Sequence, residues 1–313
     1  MGFLSEAVPQ RHAVLDVLPG ISRIVADNPG IMTYHGTNSY LVETPDGLVV
    51  IDPGPDDAAH IGDLITAIGT RKLGLILLTH THADHYAGLP ALAARTGAKV
   101  AAFHQPMRAA LKPDLPLRDG DVLQGFIALH TPGHAADHLC FAWRGQGGEK
   151  ILFSGDHVMS WSSSIVSPPD GDMADYYRGL ERLLARDDDL FLPGHGPLLR
   201  APRGLTAELL GHRQRRERSI LEALRRQDWS VAALAADLYA KADPFLKAAA
   251  QRNVLAHLLK LSQEGLVHEL APAPALHADN LLMQEKAATS PAWRQRIERM
   301  AEDSKRRFAL AAA

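Results

Sequence analysis

The stretch THTHADHYAGL, residues 79–89, places His80, His82, Asp84 and His85 within six positions. Imidazole nitrogens and carboxylate oxygens bind zinc-like ions at ~2.0–2.2 Å. In an extended segment alternate side chains share a face, so His80 and His82 can reach one ion. Asp84 and His85 follow a turn and can face a second. One loop then serves two metals, and the other donors must come from distant parts of the chain. Four short segments supply them in order: Asp52 in VVIDPG, His134 in TPGH, Asp156 in SGDH and His195 in PGHG. The fold must therefore bring several loop starts to one edge.

The strand pattern meets that demand. TNSYLVET (37–44) and GLVVIDPG (47–54) flank the turn signal Pro45-Asp46-Gly47 and read as a hairpin. LGLILLTH (73–80), KVAAF (99–103), ILFSGDH (151–157) and DLFLPGHG (189–196) read as buried strands. Helices are expected at 57–70, 86–96 and 173–186, so strands alternate with helices in an α/β arrangement. All these later strands except KVAAF run straight into a candidate ligand, at the carboxyl ends where α/β sheets build their sites.

Beyond Pro197 the pattern changes. Residues 206–226, 231–240 and 248–265 read as helices, the last stopped by Gly265, and LVHEL (266–270) reads as a strand. That outline fits a winged helix. The expected division is a catalytic domain over 1–203, a winged-helix domain over 204–280 and a basic helical tail over 281–313. Charge is divided the same way. Residues 1–200 carry 15 Lys and Arg against 23 Asp and Glu, whereas 201–313 carry 18 against 13. At 313 residues the chain is long enough for one large domain and one small one. Its single cysteine, Cys140, excludes an internal disulfide. The N-terminus lacks a basic region followed by an apolar run, and no stretch approaches the ~20 apolar residues of a membrane span. A cytoplasmic protein without a membrane partner is expected.

The HxHxDH pattern with its downstream His, Asp and His resembles the metallo-β-lactamase superfamily over roughly residues 20–200. The resemblance implies an αββα sandwich, two mixed sheets with helices outside. It assigns His80, His82 and His134 to one metal and Asp84, His85 and His195 to another, with Asp156 bridging. Asp52 and His138 would stand behind the ligands. Two Zn2+ ions per chain are implied, with Mn2+ or Fe2+ as alternatives. A metal-bridging hydroxide would attack the substrate, oriented by Asp84 or Asp156. His157, beside Asp156, is also expected behind the ligands. His60, His104, His130, His212 and His257 belong to no constellation and are expected to be structural.

Several branches of the superfamily do not fit. Secreted β-lactamases of the best-known class carry cysteine at the position of Asp156. The branch with a large inserted domain needs more room than the 38 residues between Asp156 and His195. GTNSYLV (36–42), TPGHAADH (131–138) and HRQRRERSILEAL (212–224) resemble the β-lactamase-like protein 2 group, which carries a C-terminal winged helix. That group includes an endoribonuclease acting on single-stranded RNA, as well as general metallo-hydrolases. The chain departs from it at SWSSSIVSPPDGDMADYY (160–177), beside the expected pocket.

The reading is thus a zinc-dependent hydrolase of a carbonyl substrate (ester, thioester, lactone or amide) or of a phosphodiester. The alternatives are a single-stranded-RNA endoribonuclease, a mononuclear iron dioxygenase, and a nucleic-acid-binding regulator with a structural metal. Asn38, Trp161 and Ser163 are candidate substrate contacts because they lie in loops flanking the ligands. Gln251, Arg252, His257 and Lys260 are the candidate exposed contacts of the third winged-helix helix, a modest set for phosphate binding. Nucleic acid through the winged helix and a homodimer are the partners considered.

Overall fold

The computed structural model describes residues 2–240, 247–271 and 291–311. The chain divides into two compact units, residues 1–212 and 213–313.

The first unit is built from two sheets. Strands β1 (Leu15–Leu18), β2 (Ile21–Val25), β3 (Asn38–Thr44) and β4 (Gly47–Ile51) are joined antiparallel. Helix α1 (Ala58–Ile68) leads to β5 (Leu73–Leu77). A four-residue helix α2 (Ala83–Tyr86) and α3 (Leu89–Thr96) lead to β6 (Lys99–Phe103), followed by β7 (Leu115–Leu117). Strands β4 to β7 run parallel, and the seven strands lie in chain order. The second sheet has the order β13-β12-β11-β10-β9-β8, made of β8 (Val122–Leu123), β9 (Phe126–His130), β10 (Leu139–Arg144), β11 (Lys150–Gly155), β12 (Leu190–Pro193) and β13 (Leu199–Arg200). Helix α4 (Met173–Leu184) connects β11 to β12, which are parallel.

Why β4 and β5 are apolar throughout follows from burial on both faces. Val49, Ile51, Leu75 and Leu77 pack with Phe141, Ile151, Phe153 and Leu192 of the second sheet. The alternate residues Leu48, Val50, Ile76 and Leu78 pack with Ile61 and Leu64 of α1 and with Leu89 and Leu92 of α3. The core is thus a sandwich between sheets, with helices covering the outer face of the first. Helix α4 starts at an Asp172 cap, which accepts from the Asp175 amide, and buries Met173, Tyr176, Leu180 and Leu183 at helical spacing. Because β4 and β5 are parallel, as are β11 and β12, their carboxyl ends deliver Asp52, His80, Asp156 and His195 to the loops that follow.

The second unit holds the last part of α5 (Arg203–Leu224), then β14 (Trp229–Ser230), α6 (Val231–Leu238), α7 (Lys247–Gln263), β15 (Val267–Leu270), α8 (Pro291–Lys305) and β16 (Arg307–Leu310). Its core joins Ile220, Leu224, Leu234, Val254, Leu258, Val267 and Phe308. The expected tail is only partly helical. After α8 the chain forms β16, the middle strand of a sheet with β14 on one side and β15 on the other. Phe308, fully buried at its centre, explains the difference: a short apolar run after Lys305-Arg306-Arg307 fills a sheet that β14 and β15 leave incomplete. Residues 272–290 of the expected tail and wing lie outside the described residues.

Two of the expected exposed contacts of α7 are buried. Arg252 and His257 are 8% and 0% exposed. Arg252 pairs with Asp303 at 2.6 Å, and Lys260 pairs with Glu217 at 2.6 Å and Glu264 at 2.7 Å. Arg252 and Lys260 thus spend their charge inside their own unit, while Lys247 at the start of the helix is exposed.

Candidate metal centre

Three groups of donor atoms converge at the strand ends: His80, His82 and His134; His80, His85 and Asp156; and Asp84, His85 and His195. Within each group the atoms lie within 4.8 Å of one another. All seven residues proposed from the sequence as ligands are therefore brought together. Asp156 stands between two of the sets, with Oδ2 lying 3.5 Å from His134 Nε2 and 3.5 Å from His195 Nε2. Gly194 permits this closeness. A Cβ there would fall 2.6 Å from Asp156 Oδ1 and 2.6 Å from the His85 ring.

Each histidine has its outward nitrogen committed. His82 Nε2 donates to Asp170 Oδ2 at 2.9 Å, His85 Nδ1 to Asp52 Oδ2 at 2.8 Å, and His134 Nδ1 to the Ile165 carbonyl at 2.8 Å. His195 Nδ1 faces the Gly36 carbonyl at 3.3 Å. His80 Nδ1 lies 3.0 Å from Thr79 Oγ1, whose own hydroxyl donates to Asp52 Oδ2 at 2.6 Å. Carboxylates and carbonyls only accept, so the outward nitrogens carry the protons and the inward ones present lone pairs. His82 Nδ1 then sits 3.0 Å from His80 Nε2 and 2.9 Å from His134 Nε2. Bare nitrogens crowded this way repel one another unless a cation lies among them. Asp156 Oδ1 is also buried without a hydrogen-bond partner. This donor set fits a divalent metal pair.

The electrostatics divide the sets. Burial, reinforced by neighbouring histidines, holds His80 well below the usual imidazole range and lowers His134 to about 4. Burial also opposes charge on His85 and His195, but the carboxylates overcome it. Asp156, Asp84 and Asp52 push His85 well up, and Asp156 with Asp84 raises His195 to about 9. Against their own burial, Asp84 and Asp156 are held ionised by His85 and His195. Without a metal the carboxylates favour charge on the His85 and His195 pair, whose inward nitrogens lie 3.3 Å apart.

Asp52 ends β4 with a left-handed φ of 53°. Its carboxylate takes the Thr79 amide, the Thr79 hydroxyl and His85. His138 accepts the Asp156 amide at 3.1 Å on Nε2 and contacts Thr131 through Nδ1. Burial lowers the fully buried His157 to about 3. The candidate substrate contacts divide. Asn38, 1% exposed, uses its amide on the Pro193 and Gly196 carbonyls at 2.9 Å each, so it braces the His195 loop instead of facing a substrate. Trp161 is half-buried beside Gly196 and stacks on Tyr34 at 4.9 Å, while Ser163 is half-buried nearby in sequence. Sequence reasoning missed Asp170 and the Ile165 carbonyl. Their only signal was that both lie in the departing segment 160–177.

Residues 32–195 match the metallo-beta-lactamase superfamily, and residues 230–272 match the beta-lactamase associated winged helix domain. The chain belongs to the metallo-beta-lactamase superfamily. A lactamase-like protein of Penicillium aethiopicum is 34% identical over 70% of this chain and 70% of its own length. The beta-lactamase-like protein 2 homolog of Drosophila melanogaster is 30% identical over 81% of this chain and 91% of its own. An atrochrysone carboxyl ACP thioesterase of a Cryptosporiopsis species is 30% identical over 69% and 66%. Among solved structures, a metallo-beta-lactamase family protein of Thermus thermophilus aligns with a TM-score of 0.67 at 25% identity, covering 82% of this chain and 97% of its own. A superfamily member with this His/Asp cluster is a metal-dependent hydrolase. No helix among the described residues is long and apolar enough to cross a membrane.

Proposed function

We propose that this hydrolase holds two zinc ions, one on His80, His82 and His134 and one on Asp84, His85 and His195, and cleaves an activated acyl bond such as a thioester, ester or lactone. The observation carrying this reading is Asp156, placed 3.5 Å from a histidine of each set. A relative named as an ACP thioesterase supports the acyl substrate. Arg252 and Lys260 are paired within their own unit, which leaves α7 few contacts for a polyanion and favours the acyl reading over RNA.

Bound zinc would supply acidified water and polarise the scissile oxygen. The chain's own part is positional. Asp156 fixes the spacing of the two sets. Asp84, with a side chain 30% exposed, faces solvent and stays ionised beside His195. It orients the attacking water by accepting a hydrogen bond on a carboxylate oxygen. Trp161 and Tyr34 form an aromatic wall beside the His195 loop.

The test is a panel of thioesters, lactones, a β-lactam and single-stranded RNA offered to zinc-loaded protein. Thioester or ester hydrolysis is expected, abolished by chelation and by His82→Ala. Cleavage of RNA alone, weakening with salt, would replace the acyl reading with the endoribonuclease one. Full acyl hydrolysis with both His82 and Asp84 replaced would end the two-metal reading.

A further inference from the structure

The segment between β11 and α4 does more than border the site. Ile165 and Asp170, five positions apart in it, take the outward protons of two histidines from the same donor set, His134 and His82. We propose that Asp170 is a positioning residue that sets how tightly the His80/His82/His134 set holds its metal. The inference rests on the metal reading above.

His82 is the histidine of that set most in need of an anchor. Its side chain is 31% exposed, against 10% for His134, so packing alone leaves its ring room to turn. Asp170 restrains it through one carboxylate oxygen. The other oxygen accepts the Ala136 amide at 3.0 Å, two residues beyond His134. One carboxylate therefore ties the loop of His82 to the loop of His134, fixing the gap a metal must fill.

The backbone that follows Asp170 is itself held. The Gly171 amide donates to the Ser167 carbonyl at 2.8 Å, and the Asp172 amide donates to the Gly133 carbonyl at 2.9 Å. Asp172 then caps α4. Farther back, the Ser164 hydroxyl donates to the Asp156 carbonyl. The segment is thus built into the ligand loops at both ends. An acceptor carboxylate behind a ligating imidazole also makes the facing nitrogen a better donor.

An ordinary half-exposed ion pair would behave differently. It would contribute little to stability, and its loss would leave metal affinity unchanged. In Asp170→Asn the shape remains, but the charge is lost and the amide can turn a donor toward the imidazole N–H.

The experiment uses the full chain stripped of metal and titrated with cobalt(II) against a competing chelator, following visible absorption. Wild type should take up two equivalents. The one belonging to this set is identified by its loss in His134→Ala. Asp170→Asn should weaken that equivalent about 10–100-fold and shift its absorption, leaving the other unchanged. Asp170→Glu, which keeps the carboxylate, should recover part of the loss.

Wild-type affinity and spectrum for both equivalents in Asp170→Asn would overturn the proposal. So would equal losses in both variants accompanied by lower melting of the metal-free chain, since collapse of the segment would then be the cause. Failure of wild type to bind two equivalents would instead overturn the two-metal reading.

Discussion

At the scale of single residues the histidines of the centre fall into two electrostatic kinds. His80 and His134 are kept neutral by burial, whereas His85 and His195 are raised by Asp156 and Asp84, His195 to about 9. A metal can bind only deprotonated imidazole. At pH 7 metal uptake should therefore release protons from the His85 and His195 pair, and the His195 share of that release should fade as pH rises past about 9. The same raised values fix the sign for the metal-free fold. The stabilisation from His195 is complete below the ordinary imidazole range near pH 6.5 and is lost as pH rises through about 9, and that from His85 has the same sign. Calorimetric metal titration in buffers of different ionisation enthalpy reads the released protons. A buffer-independent heat at pH 7 would refute the assignment. The ligands themselves were legible because their chemistry repeats in short motifs at strand ends. Asp170 was not, since its partner His82 lies 88 positions away and nothing local marks the pair. Asn38 was expected in a loop flanking the site, whereas it opens β3 and turns its amide inward onto two carbonyls.

At the scale of elements, what was readable depended on how a segment is buried. Strands β4, β5, β11 and β12 are apolar on both faces and stood out as unbroken runs. The two-residue strands β8, β13 and β14 are too short to carry a period, and β16 was hidden behind a basic helix. Helix α7 shows the limit of charge reading. Its sequence offered Arg252, His257 and Lys260 as surface contacts, but side-chain direction on a helix is fixed by neighbours the sequence does not display. Lys260, with a side chain 10% exposed, lies between Glu217 and Glu264. Removing it takes a charged hydrogen-bond donor away from the largely buried Glu217. Lys260→Ala should therefore cost about 1–3 kcal/mol of stability, read by urea unfolding, with no change in retention of single-stranded RNA. A nucleic-acid surface on this helix would give the reverse pattern: little loss of stability and a clear loss of retention.

For the whole molecule, the sequence pattern places boundaries at residues 203 and 280, whereas the fold divides into two units at residues 212 and 213, inside α5. Along α5 the buried face passes from Leu205 and Leu209 through Arg213 and Glu217 to Ile220 and Leu224, so its apolar stripe is interrupted where the units divide. The division has an energetic consequence. Every candidate ligand lies between residues 80 and 195, in the first unit, while the second has its own core around Val254, Leu258 and Phe308. A ligand that binds only the folded state stabilises it by about 4 kcal/mol at a thousand times its dissociation constant. That gain should fall on the first unit alone. Scanning calorimetry of the full chain should show one transition that moves up with zinc and down with chelator, and a second that stays in place. The moving transition should lose its zinc response in His82→Ala. Two transitions that both ignore zinc would remove the metal from the folding energetics. A single transition that shifts as a whole would mean that the two cores melt together.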